Sequence, residues 1–179
     1  MAVAWVTGVL LGFRGFGFAW VLHFAMMAWM AASVDAAQPA LRSSWFRVRD
    51  WESPIYRRLG VWWSMRLLRR IGWERIMRGA RPFAGTRESL TTLDRATQMS
   101  EFGHSILAIF GTVLAATAVG VRAFDAAAWL FGLTVLLHAY PILLQRAVRS
   151  RIQRVRRTEA RLTCRARPHP GQRRTWAVQ

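Results

Sequence analysis

Three stretches of the chain run without a formal charge for long enough to cross a bilayer. Gly15 to Val34 is 20 residues, His104 to Val121 is 18, and Ala126 to Leu144 is 19. At 1.5 Å rise per residue, helices of this length cover most or all of a ~30 Å hydrocarbon core. The pattern predicts spans at about 12–34, 104–121 and 126–144. Arg122 and Asp125 interrupt the second and third, which are joined by a very short turn and form an antiparallel pair. Gly111, Ala115, Ala116 and Ala118 are the small residues that let two helices approach closely in lipid.

The intervening segment, residues 35–103, has a different texture. It carries thirteen arginines interleaved with aromatics such as Trp45, Trp51, Trp62, Trp63 and Trp73. Pro54 to Arg78 reads as helical with breaks near Gly60 and Gly72, and Pro54 suits a first turn. Ile55, Leu59, Trp62 and Trp63 fall on one side at helical spacing, continued by Leu67, Leu68, Ile71 and Met77. Most of its arginines fall elsewhere. A basic amphipathic helix edged with Trp lies in the membrane interface, its arginines on lipid phosphates. Gly79, Pro82 and Gly85 predict a loop, with the next helix starting near Thr91 or Thr92 and Asp94 in its first turn. After the third span, 146–162 reads as a helix leaving the membrane. Residues 156–179 form a basic tail whose end is marked flexible by Pro168, Pro170 and Gly171. The expected fold class is therefore all-α and integral to the membrane: about three transmembrane helices plus a basic amphipathic interfacial helix, in one membrane domain over 1–155.

Composition agrees with that division. Hydrophobic residues make up 53 % of 179, yet the net charge is +17, from 26 basic and nine acidic residues. Every basic residue is Arg. A soluble domain would mix the two kinds; here they occupy separate segments. Arginine placement also sets the orientation, because positive residues stay in the cytoplasm. The 35–103 segment and the tail are expected inside, with the 122–125 turn and the N-terminus outside, in a multi-pass protein of the cell membrane. A cleavable signal peptide ending near Val34-Asp35-Ala36 is the rival for the first span. Its apolar run is longer than a signal core, and cleavage would send the Arg-rich stretches outward. Nucleic acid would use the same positive charge, but the membrane anchor beside it already accounts for that charge, so membrane lipids are the expected partners. The single cysteine, Cys164, cannot form an internal disulfide, and metal-ligand Cys/His spacings are absent.

Two polar clusters meet at the cytoplasmic ends of the spans. In Glu101-Phe102-Gly103-His104, the Glu and the His share one helical flank. A carboxylate can orient a His tautomer and raise its basicity, which is what a general base acting on a hydroxyl needs. The blander reading is a helix end at the interface, with Glu101 paired to an Arg. A metal would need more ligands, and His138 and Asp94 are the available additions; no metal or cofactor is expected. The second cluster is Tyr140-Pro141-Ile142-Leu143-Leu144-Gln145-Arg146, then Arg149 and Arg151. Pro141 can kink the span, Gln145 bonds both ways, and Arg146 with Arg149 can clamp a phosphate or carboxylate. The blander reading there is a span end with snorkelling arginines. His23 and His138 lie inside spans, where ionisable residues lean towards function, although a neutral His packed in a bundle is ordinary. The acyltransferase box His-x4-Asp/Glu is absent, since Ile109 stands where the acid would follow His104. There is no Gly-x-Ser-x-Gly elbow, P-loop or dinucleotide fingerprint.

Four blocks, in order, resemble a known family. They are Trp45-Phe46-Arg47-Val48-Arg49-Asp50-Trp51-Glu52, Tyr56-Arg57-Arg58-Leu59-Gly60-Val61, Glu101-Phe102-Gly103-His104, and Pro141 to Arg146 with Arg149 and Arg151. Together they cover roughly 40–155, and the chain resembles the glycosyl-4,4'-diaponeurosporenoate acyltransferases of bacterial carotenoid biosynthesis. It departs after Trp62, where Trp62-Trp63-Ser64-Met65 and Leu67-Leu68 replace the family's Lys-rich, Pro-containing stretch. The resemblance implies transfer of a fatty acyl group to a sugar hydroxyl of a glycosylated isoprenoid or other glycolipid. Under it, His104 is the base and Glu101 holds it. Gln145, Arg146, Arg149, Arg47 and Arg49 bind the polar part of the lipid-linked acceptor or the acyl donor. The rival from another class is a non-catalytic scaffold or accessory subunit that binds anionic lipid.

Overall fold

The computed structural model describes residues 15–41, 43–70, 72 and 86–166, with a few positions before 15. The expected continuation of the amphipathic stripe through Leu67, Leu68, Ile71 and Met77, the loop at 79–85, and the tail beyond Ala166 lie outside the described residues or side chains. The elements in order are α1 (Phe16–Ala37), a 3-10 turn (Ser44–Phe46), α2 (Glu52–Arg58), α3 (Val61–Arg70), α4 (Arg87–Gly120), α5 (Phe124–Thr134), a π-helical turn (Val135–Ala139) and α6 (Tyr140–Ala166). Among the described residues there is no strand. Three helical stretches, Phe16–Ala37, Glu88–Gly120 and Phe124–Cys164, are long and apolar enough to cross a membrane.

Helix α4 begins at Arg87, several residues before the expected Thr91 or Thr92. The reason is local: the hydroxyl of Thr86 accepts from the backbone N–H of Ser89 at 3.2 Å, an N-cap bond, and Glu88 sits in the first turn. The 34 residues of α4 make a rod of about 50 Å at 1.5 Å per residue. That exceeds a ~30 Å hydrocarbon core, so part of α4 must project beyond the core. Its polar N-terminal part carries Asp94, Thr97 and Glu101.

The third long helix runs from Phe124 to Ala166 with one irregularity. Pro141 has no N–H to give and its ring crowds the carbonyl four residues back. The ladder widens just ahead of it: the Tyr140 N–H reaches the carbonyl of Val135, five residues earlier. The buried His138 lies in this wide turn.

The membrane core is built of small residues. Ala19 of α1 packs with Ala115 and Ala118 of α4 and with Ala126, Ala127, Leu130 and Leu133 of α5. Ala116, expected among the contacts, is exposed, because it sits one residue off the inward stripe. Gly111 is a point of close approach. A Cβ there would stand 2.1 Å from the Thr134 hydroxyl and 3.2 Å from its Cβ and methyl. Large apolar residues such as Trp29, Phe110, Val113, Phe131 and Leu136 are exposed, as lipid-facing residues should be. Outside the bundle, α2 and α3 are split at Gly60, whose φ of +68° favours glycine. The Tyr140 hydroxyl donates to the Gly60 carbonyl at 3.3 Å, Val61 is fully buried, and Trp63 is exposed on α3. The Arg151 guanidinium lies over the Trp62 ring at 3.7 Å. This tethers the amphipathic segment to α6.

Replacing Gly111 by Ala should destabilise the protein despite the helix-propensity gain of about 1 kcal/mol. Thr134 cannot rotate away without losing its bond to the Leu130 carbonyl at 2.7 Å, and overpacking of this kind costs about 1–3 kcal/mol. Thermal unfolding in micelles checks this; an unchanged or raised Tm would show that the contact yields freely.

Candidate functional site

Two arginines of the fourth sequence block, Arg146 and Arg149, point inward. Arg149 is 1 % exposed and Glu101 is fully buried. Arg149 Nη1 donates to the Glu101 carboxylate and, at 3.1 Å, to the Phe46 carbonyl. Its Nε and Nη2 each lie 3.3 Å from the Thr97 hydroxyl. Asp94 is 3.6 Å from Nε, close enough for attraction but too far for a hydrogen bond. Arg146, one turn earlier, donates from Nη1 to Glu101 Oε1 at 2.7 Å and to the Trp45 carbonyl at 3.1 Å. Its Nη2 takes both oxygens of Glu52, at 2.8 and 3.0 Å, while Nε reaches Glu52 Oε2 at 3.0 Å and the Tyr56 oxygen at 3.2 Å. Glu52 also accepts from the Tyr56 hydroxyl and from the Arg49 N–H at 2.9 Å. The arrangement is a closed lock: two carboxylates and two guanidiniums, joining α2 and the 3-10 turn to α4 and α6.

Titration of the outer half follows from these contacts. Burial works to raise the Glu52 pKa, but the hydrogen bonds from Tyr56, the Arg49 N–H and Arg146, with the charge of Arg146, hold it below the usual carboxylate value. Burial and the hydrogen bond to Glu52 push the Tyr56 phenol up to about 12. Glu52 is therefore ionised and Tyr56 neutral over the working range.

The expected pairing of Glu101 with His104 gives way to other partners. The Glu101 carboxylate turns to the two arginines, and His104 turns to His138, their Nδ1 atoms 3.3 Å apart. A full guanidinium charge outcompetes a neutral imidazole for a buried carboxylate. Arg149 is likewise filled from within the protein rather than open as a clamp. Gln145 donates to the Ser100 hydroxyl at 3.1 Å, and its buried Oε1 has no partner among the described residues. Ser100 and His104 both line an apolar groove of about 500 Å³ between α1 and α4, with Met27, Met30, Met99 and Leu107. Arg95 donates to Gln38 across that groove at 3.4 Å. Arg47 and Arg49 are apart from it. They line a polar cavity of about 900 Å³ with Trp45, Trp51, Arg146 and Arg157. No group of three or more His, Cys, Asp or Glu able to hold a metal occurs among the described residues.

Sequence reasoning left Glu52, Tyr56 and Thr97 without a role. A signal for Glu52 was present: nine acids serve 26 arginines in this chain, so an acid beside aromatics is a strong candidate for an internal ion pair. Nothing local pointed to Thr97.

Comparison with known proteins gives one match. The CrtO family model, described as glycosyl-4,4'-diaponeurosporenoate acyltransferase, matches residues 42–158, well over half of the chain. The matched segment contains the whole lock, His104 and His138, and leaves out α1. Neither a curated protein nor a solved structure matches. The match carries acyl transfer as the general activity, in a membrane protein by its three long apolar helices.

Removing Arg149 alone, as Arg149→Leu, should cost about 3–5 kcal/mol, because Glu101 keeps a buried charge with half its partners gone. Pairing it with Glu101→Leu should recover a large part of that loss. A double-mutant cycle by chemical unfolding in micelles reads the coupling; additive losses would mean that the pair is not a unit.

Proposed function

We propose that this protein, which belongs to the glycosyl-4,4'-diaponeurosporenoate acyltransferase family, moves a fatty acyl group onto a sugar hydroxyl of a glycosylated isoprenoid or related glycolipid. The observation that carries the reading is His104, a titratable base in the wall of an apolar groove of about 500 Å³, a volume within the usual range of small-molecule sites. The acyl chain lies in the groove among Met27, Met30 and Leu107. His104 takes the proton of the acceptor hydroxyl through a ring nitrogen as the oxygen attacks the acyl carbonyl. The tetrahedral intermediate collapses, the bond from carbonyl carbon to leaving group breaks with its electron pair, and the leaving group takes the proton back from His104. The donor is an activated ester or thioester. Gln145 offers its free carbonyl oxygen to a hydroxyl near Ser100. Arg47 and Arg49, with the outer edge of Arg146, supply cations for the polar part of donor or acceptor. Glu101 and Arg149 act at one remove, by fixing α4 against α6.

Lipid mass spectrometry on cells with the gene, without it, and with His104→Ala tests this. Loss of one acylated glycolipid in the deletion strain is expected, with a drop of about 10²–10⁴-fold in its rate of formation in His104→Ala, the usual worth of a general base. Full product from His104→Ala would sink the mechanism. An unchanged profile in the deletion would favour the rival in which the arginine-rich helices bind anionic lipid without catalysis.

The same reading sets the protein in the cell membrane with its basic segments in the cytoplasm. Cys164 is exposed on α6, at the opposite end of the helical hairpin from the 121–123 turn. A membrane-impermeant maleimide on intact cells should leave Cys164 unlabelled and should label Arg122→Cys in a Cys164→Ser background. The reverse pattern would invert the topology.

A further inference from the structure

Three histidines from three helical segments line up through the bundle, and His138 is the middle one. It is fully buried. On one side its ring lies 5.3 Å from that of His23 at an interplanar angle of 18°. On the other it meets His104, ring centroids 5.6 Å apart, Nδ1 to Nδ1 at 3.3 Å. His23 is itself pinned. Its Nδ1–H donates to the Ala19 carbonyl at 2.7 Å, and its Nε2 lies 3.1 Å from the Thr134 hydroxyl oxygen. The flat face it offers fixes the plane of His138.

We propose that His138, rather than Glu101, is the positioning residue of His104: its Nδ1 accepts a hydrogen bond from the Nδ1–H of His104 and so leaves the His104 Nε2 lone pair free as the base. The inference rests on the acyl-transfer reading of His104. Two facing imidazole nitrogens need one donor and one acceptor. If His138 donates, the proton of neutral His104 must sit on Nε2 and no lone pair is left for the acceptor hydroxyl. If His138 accepts, Nε2 of His104 is open. When His104 then gains the substrate proton, the bond to His138 becomes charge-assisted and shortens, which favours the transition state over the ground state.

Two features argue against simple packing. His138 keeps a buried Nε2 with no partner among the described residues, which an apolar ring of similar shape would avoid. It also sits in the π-helical turn ahead of Pro141, a local irregularity that recurs at functional sites. The carboxylate nearest in sequence to His104 is already held by Arg146 and Arg149, so orientation of His104 falls to another group.

The chain has four histidines, so the protein labelled with ¹⁵N-histidine in micelles gives few ring signals, and His104→Ala assigns that of His104. Neutral His104 protonated on Nδ1 in the wild type is expected. His138→Phe should release this tautomer preference, and His138→Asn, whose amide oxygen can stand near the position of Nδ1, should retain it. In cells, His138→Phe should lower the acylated product about 10–100-fold, the usual effect of losing an orienting partner, with His138→Asn between it and wild type. A wild-type His104 protonated on Nε2 overturns the proposal, and that spectrum alone decides if His138→Phe does not fold. Full product from a folded His138→Phe together with loss in His104→Ala overturns this inference and leaves the function standing. Full product from His104→Ala overturns the function, while the tautomer still reports on the pair.

Discussion

A carboxylate taken out of water must be matched by charge, and Glu101 is fully buried in this protein. Much of the arrangement follows from that demand. Arg146 and Arg149 come from α6, so α6 has to lie along α4 in one register. Arg146 then needs a second acid, which Glu52 supplies from α2. The remaining guanidinium hydrogens are taken by the backbone of Trp45 and Phe46 and by Thr97. Leaving any of these groups unpaired in a poorly solvated place is costly. The segment ahead of α2 is thus held against the bundle by polar necessity as well as by the packing of Val48, Tyr56 and Val61 on Ala147.

The lock and the apolar packing together hold α4 in place. Small residues bring α1, α4 and α5 close in the membrane, where no water drives helices together and close backbone approach does the work. The lock clamps the other end of α4 to α6. His104 lies between the two regions, three residues from Glu101 and beside His138 across the helix pair. One side of α4 faces the apolar groove shared with α1. The other faces the polar network. This helix therefore separates an apolar surface from a polar one.

Much of the architecture was legible in the chain. The charge-free runs marked the three spans because a bilayer sets a minimum apolar length. Gly60 marked the break between α2 and α3, and Pro141 marked the irregular turn, because each acts through its own backbone. The start of α4 was less legible, since Thr86, Thr91 and Thr92 are equally good caps by residue type and the bond from Ser89 selects Thr86. Ala116 is as small as Ala115 but faces outward, because one residue turns a helix by about 100°. For the site, the sequence drew attention to Glu101, His104, Gln145, Arg146 and Arg149, and the structure brings these to one end of the helix pair.

The partners are another matter. Glu101 and His104 are three apart on one helix, and spacing alone makes them a pair. Only the folded chain shows that Glu101 meets arginines 45 and 48 residues away and His104 a histidine 34 away. Sequence determined what depends on local length, periodicity and single-residue geometry: helices, their breaks, and the separation of apolar from basic segments. Tertiary structure decided which charge neutralises which and which nitrogen faces which. Those contacts are made across helices, and the strongest available partner wins wherever in the chain it lies.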